Sequence, residues 1–506
     1  RRGGPPRRGD RGLVVHPASA LAARILRLPR SLRPDQSERG GVSRGTGAGG
    51  RRVPGLGARR RRDRPHPRQD PRARTPEPHR QGEAGPAGGV QTVTATEHRH
   101  GPLSFRIDAR TSDNHARLGE VTTPHGSFPT PAFMPVATAA AMKGVLPDQV
   151  REIGAGIILN NAYHLMLRPG IELLERFGGT HRFMRWDGPV LTDSGGYQAF
   201  SMSDINAIDD DGVTFRSFVD GAKIHLGPES SMRVQNAIGA DIIMAFDDCP
   251  PSPHARHGAG SPRAKLPTPS DWARRMDEAH ERTVRWLERC RTAHARPDEQ
   301  ALFGIVQGGT DFDRRTASVE AICGIDLPGY AIGGVAVGEG PELIRSVVEH
   351  TAPQLPSDRP RYLMGVGYER DIVMAVAAGV DMFDCVLPTR NGRMASVFTR
   401  TGPLRLRHAR FREDPSPIDP TCDCPACAGG FSRAYLRHCF FADEMVGPIL
   451  CSLHNLRHFQ RLLLDIRDAI KDDAWSSLAE GWPVLQAASE ARSEPRPERG
   501  PEPESA

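Results

Sequence analysis

The amino-acid sequence predicts an α/β protein whose main domain is a (β/α)8 barrel, or TIM barrel, followed by a smaller C-terminal subdomain. Three observations lead to this prediction. Eight short apolar runs alternate with helix-like segments, and most of the runs end in polar residues or Gly. The alternation stops after Arg390, upstream of a cluster of cysteines.

The eight apolar runs are the predicted barrel strands. They are FMPVAT (133–138), GIILNN (156–161), VLTDSGG (190–196), IIMAFDD (242–248), LFGIVQGG (302–309), YAIGGVAVGE (330–339), YLMGVG (362–367) and MFDCVLPT (382–389). Strands that alternate with helices favour a parallel sheet, and eight such units match the length of a TIM barrel. A doubly wound sheet is the structural alternative.

The chain divides into four predicted parts. Residues 1–100 are rich in Arg, Pro and Gly, which predicts a disordered extension because so few apolar side chains cannot form a core. A transit peptide is the second interpretation of this segment. Residues 101–390 form the predicted barrel, with a Pro- and Gly-rich loop insertion at 250–270. Residues 391–475 form the predicted subdomain with closing helices, and residues 476–506 a polar tail.

The net charge of +6 is unevenly distributed along the chain. Residues 1–100 contain 23 Arg and 8 acidic residues, so the remaining residues carry a net charge of about −9. Any nucleic-acid surface on the body of the protein would therefore be a local basic patch. No apolar run reaches the roughly 18–20 residues that a membrane span needs, which argues against a membrane protein.

Three of the nine cysteines lie at metal-ligand spacing in a CxCxxC motif, and a histidine follows on a predicted helix. The four predicted ligands are Cys422, Cys424, Cys427 and His454. Three thiolates and one imidazole make a closed, structural zinc site. His438 and His458 are alternatives for the fourth ligand, and unliganded buried thiols are the alternative to a metal. Reduced thiols indicate a reducing compartment, and we expect the cytoplasm.

Aspartates follow several predicted strands, where the active sites of TIM barrels lie. They are Asp193, Asp247 and Asp384. One such aspartate alone could equally be a helix N-cap, whereas several on one rim favour a reactive site. Two carboxylates suit glycosidic chemistry, because one can form a covalent sugar ester while the other moves protons. If a base enters instead of water, the result is transglycosylation.

Residues near other strand ends are suited to hold a purine. Gln307 and the backbone of Gly333 and Gly334 could hydrogen-bond its edge, and Tyr197 and Met364 could cover its two faces. The zinc-ligand pattern and this pocket both argue against a plain glycoside hydrolase.

Together the motifs resemble the bacterial-type tRNA-guanine transglycosylase (queuine tRNA-ribosyltransferase) family, from about Phe105 to Asp468 and excluding the Pro250–Ser270 loop. The motifs that carry the resemblance are NAYHLMLRPG (161–170), TDSGGYQAF (192–200), FDDCPP (246–251), GIVQGG (304–309), GGVAVGE (333–339), LMGVG (363–367), DMFDCVLPTRNGR (381–393) and the Cys/His set. The resemblance implies a TIM barrel with a zinc-binding subdomain, one structural zinc ion per subunit and a homodimer.

The resemblance also implies a role for individual residues. Asp384 would be the nucleophile and Asp193 the general acid/base. The implied base-binding residues are Asp247, Gln307, Gly334, Ser194, Tyr197, Met364, Asn161 and Glu339. The implied contacts to the anticodon loop are Arg390 and Arg393, and the zinc ligands are the four residues given above.

The implied reaction replaces the wobble guanine of tRNAs with a GUN anticodon (Asp, Asn, His and Tyr) by a 7-deazaguanine, in queuosine biosynthesis. Val337 and Cys249 match the bacterial type, which uses 7-aminomethyl-7-deazaguanine rather than queuine. Asn160 and Ala162 depart from the common GNTYHL form, and the 250–270 loop is longer than usual; both leave the choice of base open.

More arginines follow the predicted nucleophile, and either phosphate contacts or a solvated face would explain them. They are Arg400, Arg405, Arg407, Arg410, Arg412, Arg433 and Arg437. Two rival functions remain besides the hydrolase. One is an inert homologue that serves as a binding subunit, which the presence of both Asp193 and Asp384 disfavours. The other is a transglycosylase acting on DNA or on another region of tRNA.

Overall fold

The computed structural model describes residues 96–197, 207–250, 252 and 268–486. Most of the predicted extension (1–100), of the 250–270 loop and of the predicted tail (476–506) lies outside the described residues. The described parts, residues 96–100 and 476–486, include a strand at Thr96–His100 and a helix at Leu478–Gly481. The division into four parts therefore stays a prediction.

Seventeen strands are described. They are β1 (Thr96–His100), β2 (Leu103–Arg110), β3 (Arg117–Thr123), β4 (Gly126–Thr130), β5 (Ala132–Pro135), β6 (Ile158–Asn160), β7 (Val190–Thr192), β8 (Ala207–Ile208), β9 (Val213–Arg216), β10 (Lys223–Leu226), β11 (Ile242–Met244), β12 (Ala301–Val306), β13 (Gly329–Ile332), β14 (Arg361–Leu363), β15 (Met382–Cys385), β16 (Ser396–Val397) and β17 (Leu404–Arg405).

The α-helices of the described residues connect these strands and continue beyond them. They are α1 (Pro147–Glu152), α2 (Ala162–Leu167), α3 (Ile171–Phe177), α4 (Thr180–Met184), α5 (Pro228–Ile238), α6 (Pro269–Ala293), α7 (Phe312–Cys323), α8 (Pro341–Thr351), α9 (Glu369–Ala377), α10 (Leu387–Arg393), α11 (Pro425–Ala428), α12 (Arg433–Phe441), α13 (Val446–Lys471) and α14 (Leu478–Gly481). None of them combines the length and apolarity that crossing a bilayer requires.

Eight parallel strands form the barrel, in the order β5-β15-β14-β13-β12-β11-β7-β6. A parallel bridge between Val136, just after β5, and Leu159 of β6 joins the two ends of this series. Each strand coincides with one of the eight predicted apolar runs, although four of the strands begin one residue earlier, so the predicted TIM barrel is confirmed and the doubly wound alternative is wrong. All six residues of β12 are buried, as expected for a strand covered on both faces.

Local capping sets the ends of several helices. The side chains of Thr268, Asp311 and Ser432 each accept a hydrogen bond from a backbone N–H in the first turn of α6, α7 and α12. These contacts satisfy amides that have no partner within the helix. Gly239, with a φ of 72°, ends α5 in the left-handed conformation that glycine adopts easily.

The antiparallel sheet β1-β2-β3-β4 covers the amino end of the barrel. Its buried Phe105, Val121 and Phe128 belong to one apolar cluster with side chains from the barrel lumen. Arg117 of β3 forms an ion pair with Asp381, which directly precedes β15. This sheet was not predicted from the sequence, and it covers the end of the barrel opposite to the carboxyl ends of the strands.

The C-terminal region has a small core of its own and also packs on the barrel. The core includes Val397, Leu406, Phe411 and Leu436. Helix α13 links the two, because the Nε2 atom of Gln460 donates to the carbonyl of Phe133 in β5 at 3.0 Å.

Candidate active site and metal site

A cavity of about 620 Å³ opens at the carboxyl end of the barrel. Most of the predicted site residues line it: Asp384, Asp193, Asp247, Gln307, Gly334, Ser194, Tyr197, Met364, Asn161 and Arg390. Glu339 lies in the adjoining loop and Arg393 is exposed at the end of α10. The barrel topology therefore brings together side chains that are far apart in the sequence, from Asn161 to Arg390.

Asp384, at the end of β15, is held through one of its two carboxylate oxygens. Oδ1 accepts hydrogen bonds from the Tyr362 hydroxyl at 2.6 Å and from the Gly365 N–H at 2.8 Å. None of the described residues hydrogen-bonds Oδ2. The carboxylate is thus oriented on one side and has a free oxygen on the other, as a nucleophile requires.

Asp193, directly after β7, is held through both oxygens. The Ala162 N–H donates to Oδ1 at 2.8 Å, and the Asn161 side-chain amide donates to Oδ2. Burial raises the pKa of Asp193 to about 6, with the nearby Asp384 adding to the increase. A carboxyl group with this pKa can both give and take a proton near neutral pH.

Asp247 and Asp248 are adjacent but have opposite surroundings. Asp248 accepts hydrogen bonds from Arg275 at 2.8 Å and Arg282 at 2.6 Å. Asp247 instead accepts one from the Gln307 amide at 2.6 Å. Burial raises the pKa of Asp247 to about 7, since no cation among the described residues pairs with it. Asp247 is therefore the member of the pair available to a ligand.

The end of β13 lies directly against Gln307. A Cβ atom at Gly334, where φ is +63°, would stand 2.3 Å from Oε1 of Gln307, so only glycine fits there. Oε1 is buried and has no hydrogen-bond partner in the described part of the chain. Nε2 has a second N–H besides the one donated to Asp247, and no hydrogen bond from it to a described residue is present, so the amide can donate to a ligand.

Glu339 organises the loop that follows. Its carboxylate accepts hydrogen bonds from the backbone N–H groups of Ala336 at 2.6 Å and Val337 at 2.9 Å. Because a peptide unit is planar and trans, the Val335 carbonyl points away from Glu339. Val335 itself lines the cavity.

The remaining predicted residues form the walls of the cavity. Tyr197 is 46% exposed, and Met364 packs against the apolar cluster of the lumen. The Ser194 carbonyl accepts a hydrogen bond from Ser231 at 2.8 Å, which fixes the backbone next to Asp193.

Two residues with evident roles were missed in the sequence. Tyr362 is 1% exposed, and burial beside Asp384 raises the pKa of its hydroxyl well above the usual value, so it remains a donor. A tyrosine inside a buried strand needs a hydrogen-bond partner, and this was the available signal. Arg315 is fully buried on α7. The available signal in the sequence was that a charged residue stands on the apolar face of a helix.

The four predicted metal ligands lie together, with donor atoms within 4.8 Å of one another. The Nδ1 atom of His454 is 3.4 Å from the sulfur atoms of both Cys424 and Cys427. Tetrahedral coordination of zinc by sulfur and nitrogen puts these atoms roughly 3.5 Å apart. The Nε2 atom of His454 lies 2.7 Å from the Phe398 carbonyl, which leaves Nδ1 for a metal. The residues thus fit a Cys3His metal site, with His454 as its histidine.

A second group of possible ligands does not fit a metal. His125, His181 and Asp241 bring their donor atoms together at the amino end of the barrel. However, the two imidazole rings stack 3.6 Å apart at an interplanar angle of 13°. Imidazole binds metals in the plane of its ring, and no nearby point lies in both of these planes.

One arginine of the predicted patch, Arg437, is half-buried and stacks on the ring of Phe441. The other eight separate into two groups. Arg400 pairs with Asp465 and Arg433 with Asp414, so both stabilise the fold. The exposed arginines of this segment are Arg390, Arg393, Arg405, Arg407, Arg410 and Arg412. This second group is the part of the patch that an RNA could reach.

Known proteins resemble this chain over most of its length. A family model described as queuine tRNA-ribosyltransferase matches residues 112–484. A queuine tRNA-ribosyltransferase of Symbiobacterium thermophilum is 53% identical over 355 residues, which are 70% of this chain and 84% of that protein. One from Stenotrophomonas maltophilia is 47% identical over 387 residues, 76% of this chain and 98% of that protein. One from Synechococcus elongatus is 50% identical over 371 residues, 73% and 92%.

Proposed function

The chain belongs to the queuine tRNA-ribosyltransferase family, and we propose that it exchanges the wobble guanine of tRNAs with a GUN anticodon for 7-aminomethyl-7-deazaguanine, in queuosine biosynthesis. One observation carries the proposal. Two carboxylates, Asp384 and Asp193, face a cavity that also holds the paired side chains of Asp247 and Gln307. One pair is suited to glycosidic chemistry and the other to a purine edge.

In the proposed first step, Asp384 attacks the ribose of the wobble nucleotide. Its free Oδ2 forms a bond to C1′ while the bond from C1′ to N9 of guanine breaks. Asp193 in its acid form supplies the proton that the leaving base takes up. The Tyr362 and Gly365 hydrogen bonds hold Asp384 in place and stabilise its carboxylate form.

In the second step Asp193 accepts a proton and Asp384 is the leaving group. The incoming 7-deazaguanine gives its N9 proton to Asp193, and N9 then displaces Asp384 from C1′. Two inversions give net retention at C1′, and Asp193 ends as the acid again. The sugar ester conserves the energy of the broken bond, so no nucleotide cofactor is needed.

The base edge is read by donors and acceptors in complementary positions. Guanine presents N1–H and N2–H donors and an O6 acceptor. The Asp247 carboxylate accepts from the two donors, while the Gln307 amide and the Gly334 N–H donate to O6. Ser194 and Asn161 support this pocket, and Tyr197 and Met364 cover the two faces of the base. Adenine, with a donor at C6, would oppose these donors.

The loop beyond Gly334 supports the choice of the aminomethyl base. With the N–H groups of Ala336 and Val337 bound to Glu339, the Val335 carbonyl is an acceptor beside the cavity. An aminomethyl group carries a positive charge at neutral pH and would donate to it.

The C-terminal region supplies the metal site and the RNA surface. A structural zinc ion would be held by Cys422, Cys424, Cys427 and His454. It would join the loop that carries the three cysteines to α13. Arg390 and Arg393 contact the anticodon loop, and the other exposed arginines of the patch bind phosphates. A Cys424→Ser variant should lose zinc in metal analysis, and full zinc content would refute the ligand set.

The active enzyme is a homodimer in the cytoplasm. Tyr435, Phe441 and Met445 are large apolar side chains on and beside α12 that are 42%, 59% and 73% exposed, and a second copy of the chain would cover them. Light scattering should give twice the chain mass, and Phe441→Asp should give the mass of one chain.

The decisive experiment is exchange of radiolabelled guanine into unmodified tRNA with a GUN anticodon. Label should enter at the wobble position and be displaced by 7-aminomethyl-7-deazaguanine. The Asp384→Ala variant should bind tRNA but form no covalent RNA adduct. Normal adduct yield would remove Asp384 as the nucleophile, and no incorporation by the unsubstituted enzyme would favour the inert-subunit or DNA-acting alternatives.

A further inference from the structure

Arg315 is a buried cation directly behind the base-reading wall. Its side chain is fully buried on α7, and no carboxylate of the described residues lies within ion-pair distance of it. Burial lowers its pKa only to about 10, so the guanidinium is charged at neutral pH. A buried charge without a counterion is costly unless hydrogen bonds compensate it.

The compensation comes entirely from backbone carbonyls at two strand ends. Nε donates to Gly309 at 2.8 Å, and Nη1 donates to Val306 at 3.1 Å and Gly333 at 2.7 Å. Nη2 donates to Gly334 at 3.1 Å. One planar group therefore ties the residues on both sides of Gln307 to the two glycines at the end of β13.

These two strand ends carry the groups that read the base. Oε1 of Gln307 lies against Gly334, and a Cβ atom at Gly333 would stand 2.8 Å from Nε2. The spacing between the Gln307 amide and the Gly334 backbone is thus determined by the segments that Arg315 holds. The loop beyond Gly334 is held separately by Glu339.

We propose that Arg315 is a positioning residue for base recognition: its guanidinium sets the spacing between Gln307 and Gly334 and so determines the affinity and choice of the base. This inference rests on the proposed function of the cavity. A lysine at this position keeps the charge but lacks the planar set of donors that reaches four carbonyls.

Arg361 at the start of β14 provides a matched control. It is 5% exposed, and it also donates to three backbone carbonyls, those of Leu355, Pro356 and Gly379. It lies at the amino end of the barrel, away from the cavity. Replacing either arginine removes similar contacts, but only one of the two is next to the base-reading groups.

The test compares Arg315→Lys with Arg361→Lys in the full-length protein. Calorimetry gives the Kd of free guanine and of 7-aminomethyl-7-deazaguanine, and filter binding gives the Kd of tRNA. We expect Arg315→Lys to weaken base binding about tenfold or more and to alter the ratio of the two Kd values, with tRNA binding within twofold. Arg361→Lys should lower the Tm and leave both base Kd values within twofold.

Three results would overturn the proposal. The first is unchanged base binding in Arg315→Lys, and the second is an equal loss of base binding in Arg361→Lys. The third is failure of both Arg315→Lys and Arg315→Gln to fold while Arg361→Lys folds, because the role would then be purely structural. Guanine binding without exchange in the unsubstituted enzyme would refute the proposed function alone, whereas absence of guanine binding would refute both.

Discussion

Both ends of the barrel contain aspartates, but the hydrogen-bond and ion-pair partners of these aspartates differ between the two ends. At the amino end, Arg117 pairs with Asp381 at 2.6 Å, and His125 and His181 bond to Asp241. At the carboxyl end, no described cation lies within ion-pair distance of Asp193, Asp247 or Asp384. Asp381 and Asp241 are fully buried, whereas Asp247 and Asp384 are partly exposed to the cavity. The partner of each carboxylate then determines what it does.

The pKa values express this difference. Burial alone would raise the pKa of Asp241, but hydrogen bonds from His125 and His181 outweigh it and hold the pKa well below its usual range. In the cavity, burial raises the pKa of Asp193, Asp247 and Asp384. One end thus uses carboxylates for stability, and the other keeps them available for proton transfer and binding.

The largest effect should come from Asp384→Asn at the carboxyl end. Activity should fall about 10⁴-fold or more, because the amide cannot form the sugar ester. The Tm should stay the same or rise, since a buried carboxylate without a cation is removed. Exchange assays and thermal denaturation measure the two effects. A large loss of stability would contradict the view that the carboxylates at the carboxyl end do not stabilise the fold.

Asp381→Asn tests the opposite end. It leaves the buried guanidinium of Arg117 without its counterion, and the free energy of unfolding should fall by about 3–5 kcal/mol. The folded fraction should retain its Kd for guanine. Urea denaturation and calorimetry check this, and a weakened affinity for guanine in stable protein would contradict a purely structural role.

Acid should weaken base binding through Asp247. The ionised form accepts from guanine, and its pKa is about 7. The Kd for guanine should therefore be lowest above pH 7 and rise towards tenfold per pH unit below it. Asp247→Asn should bind weakly at every pH and lose this dependence. A Kd that is constant from pH 6 to 8 in the unsubstituted enzyme would exclude the assignment.

His125→Ala should have the smallest effect. Its hydrogen bond to Asp241 raises the pKa of His125, so the stabilisation is complete below the unfolded pKa and is lost as pH rises through the folded one. We expect a loss of about 1 kcal/mol at pH 6 and less at pH 9, with unchanged guanine binding. An equal loss at both values would show that the proton is not involved.

Sequence periodicity was sufficient to predict the barrel and the residues at its open end. The eight apolar runs identify the strands, and fold geometry places the residues after them on one rim. The antiparallel sheet was missed because its strands carry polar residues among the apolar ones and so form no continuous apolar run; β2 alternates buried with partly exposed residues over most of its length, and β1 has no buried residue. The series of arginines after the barrel could not show that Arg400 forms an ion pair with Asp465.

Most of the other features that were not predicted are pairings between residues that are far apart in the sequence. Arg117 and Asp381 are 264 residues apart, so no local pattern shows which aspartates have a cation. Arg315 looked like an ordinary helix residue because its partners are backbone carbonyls, which leave no mark on the sequence. The site residues were predicted individually, whereas their electrostatic state depends on these partners.

Helix α13 also bears on how the protein is made. All eight barrel strands have been synthesised by residue 385, but Gln460 and Phe459 of α13 cover β5 through Phe133. A nascent chain that holds every catalytic aspartate therefore still exposes an apolar side of its first barrel strand. The first barrel strand is therefore covered only once α13 has been synthesised, and a chain that stops before this helix exposes an apolar surface that chaperones and proteases can recognise.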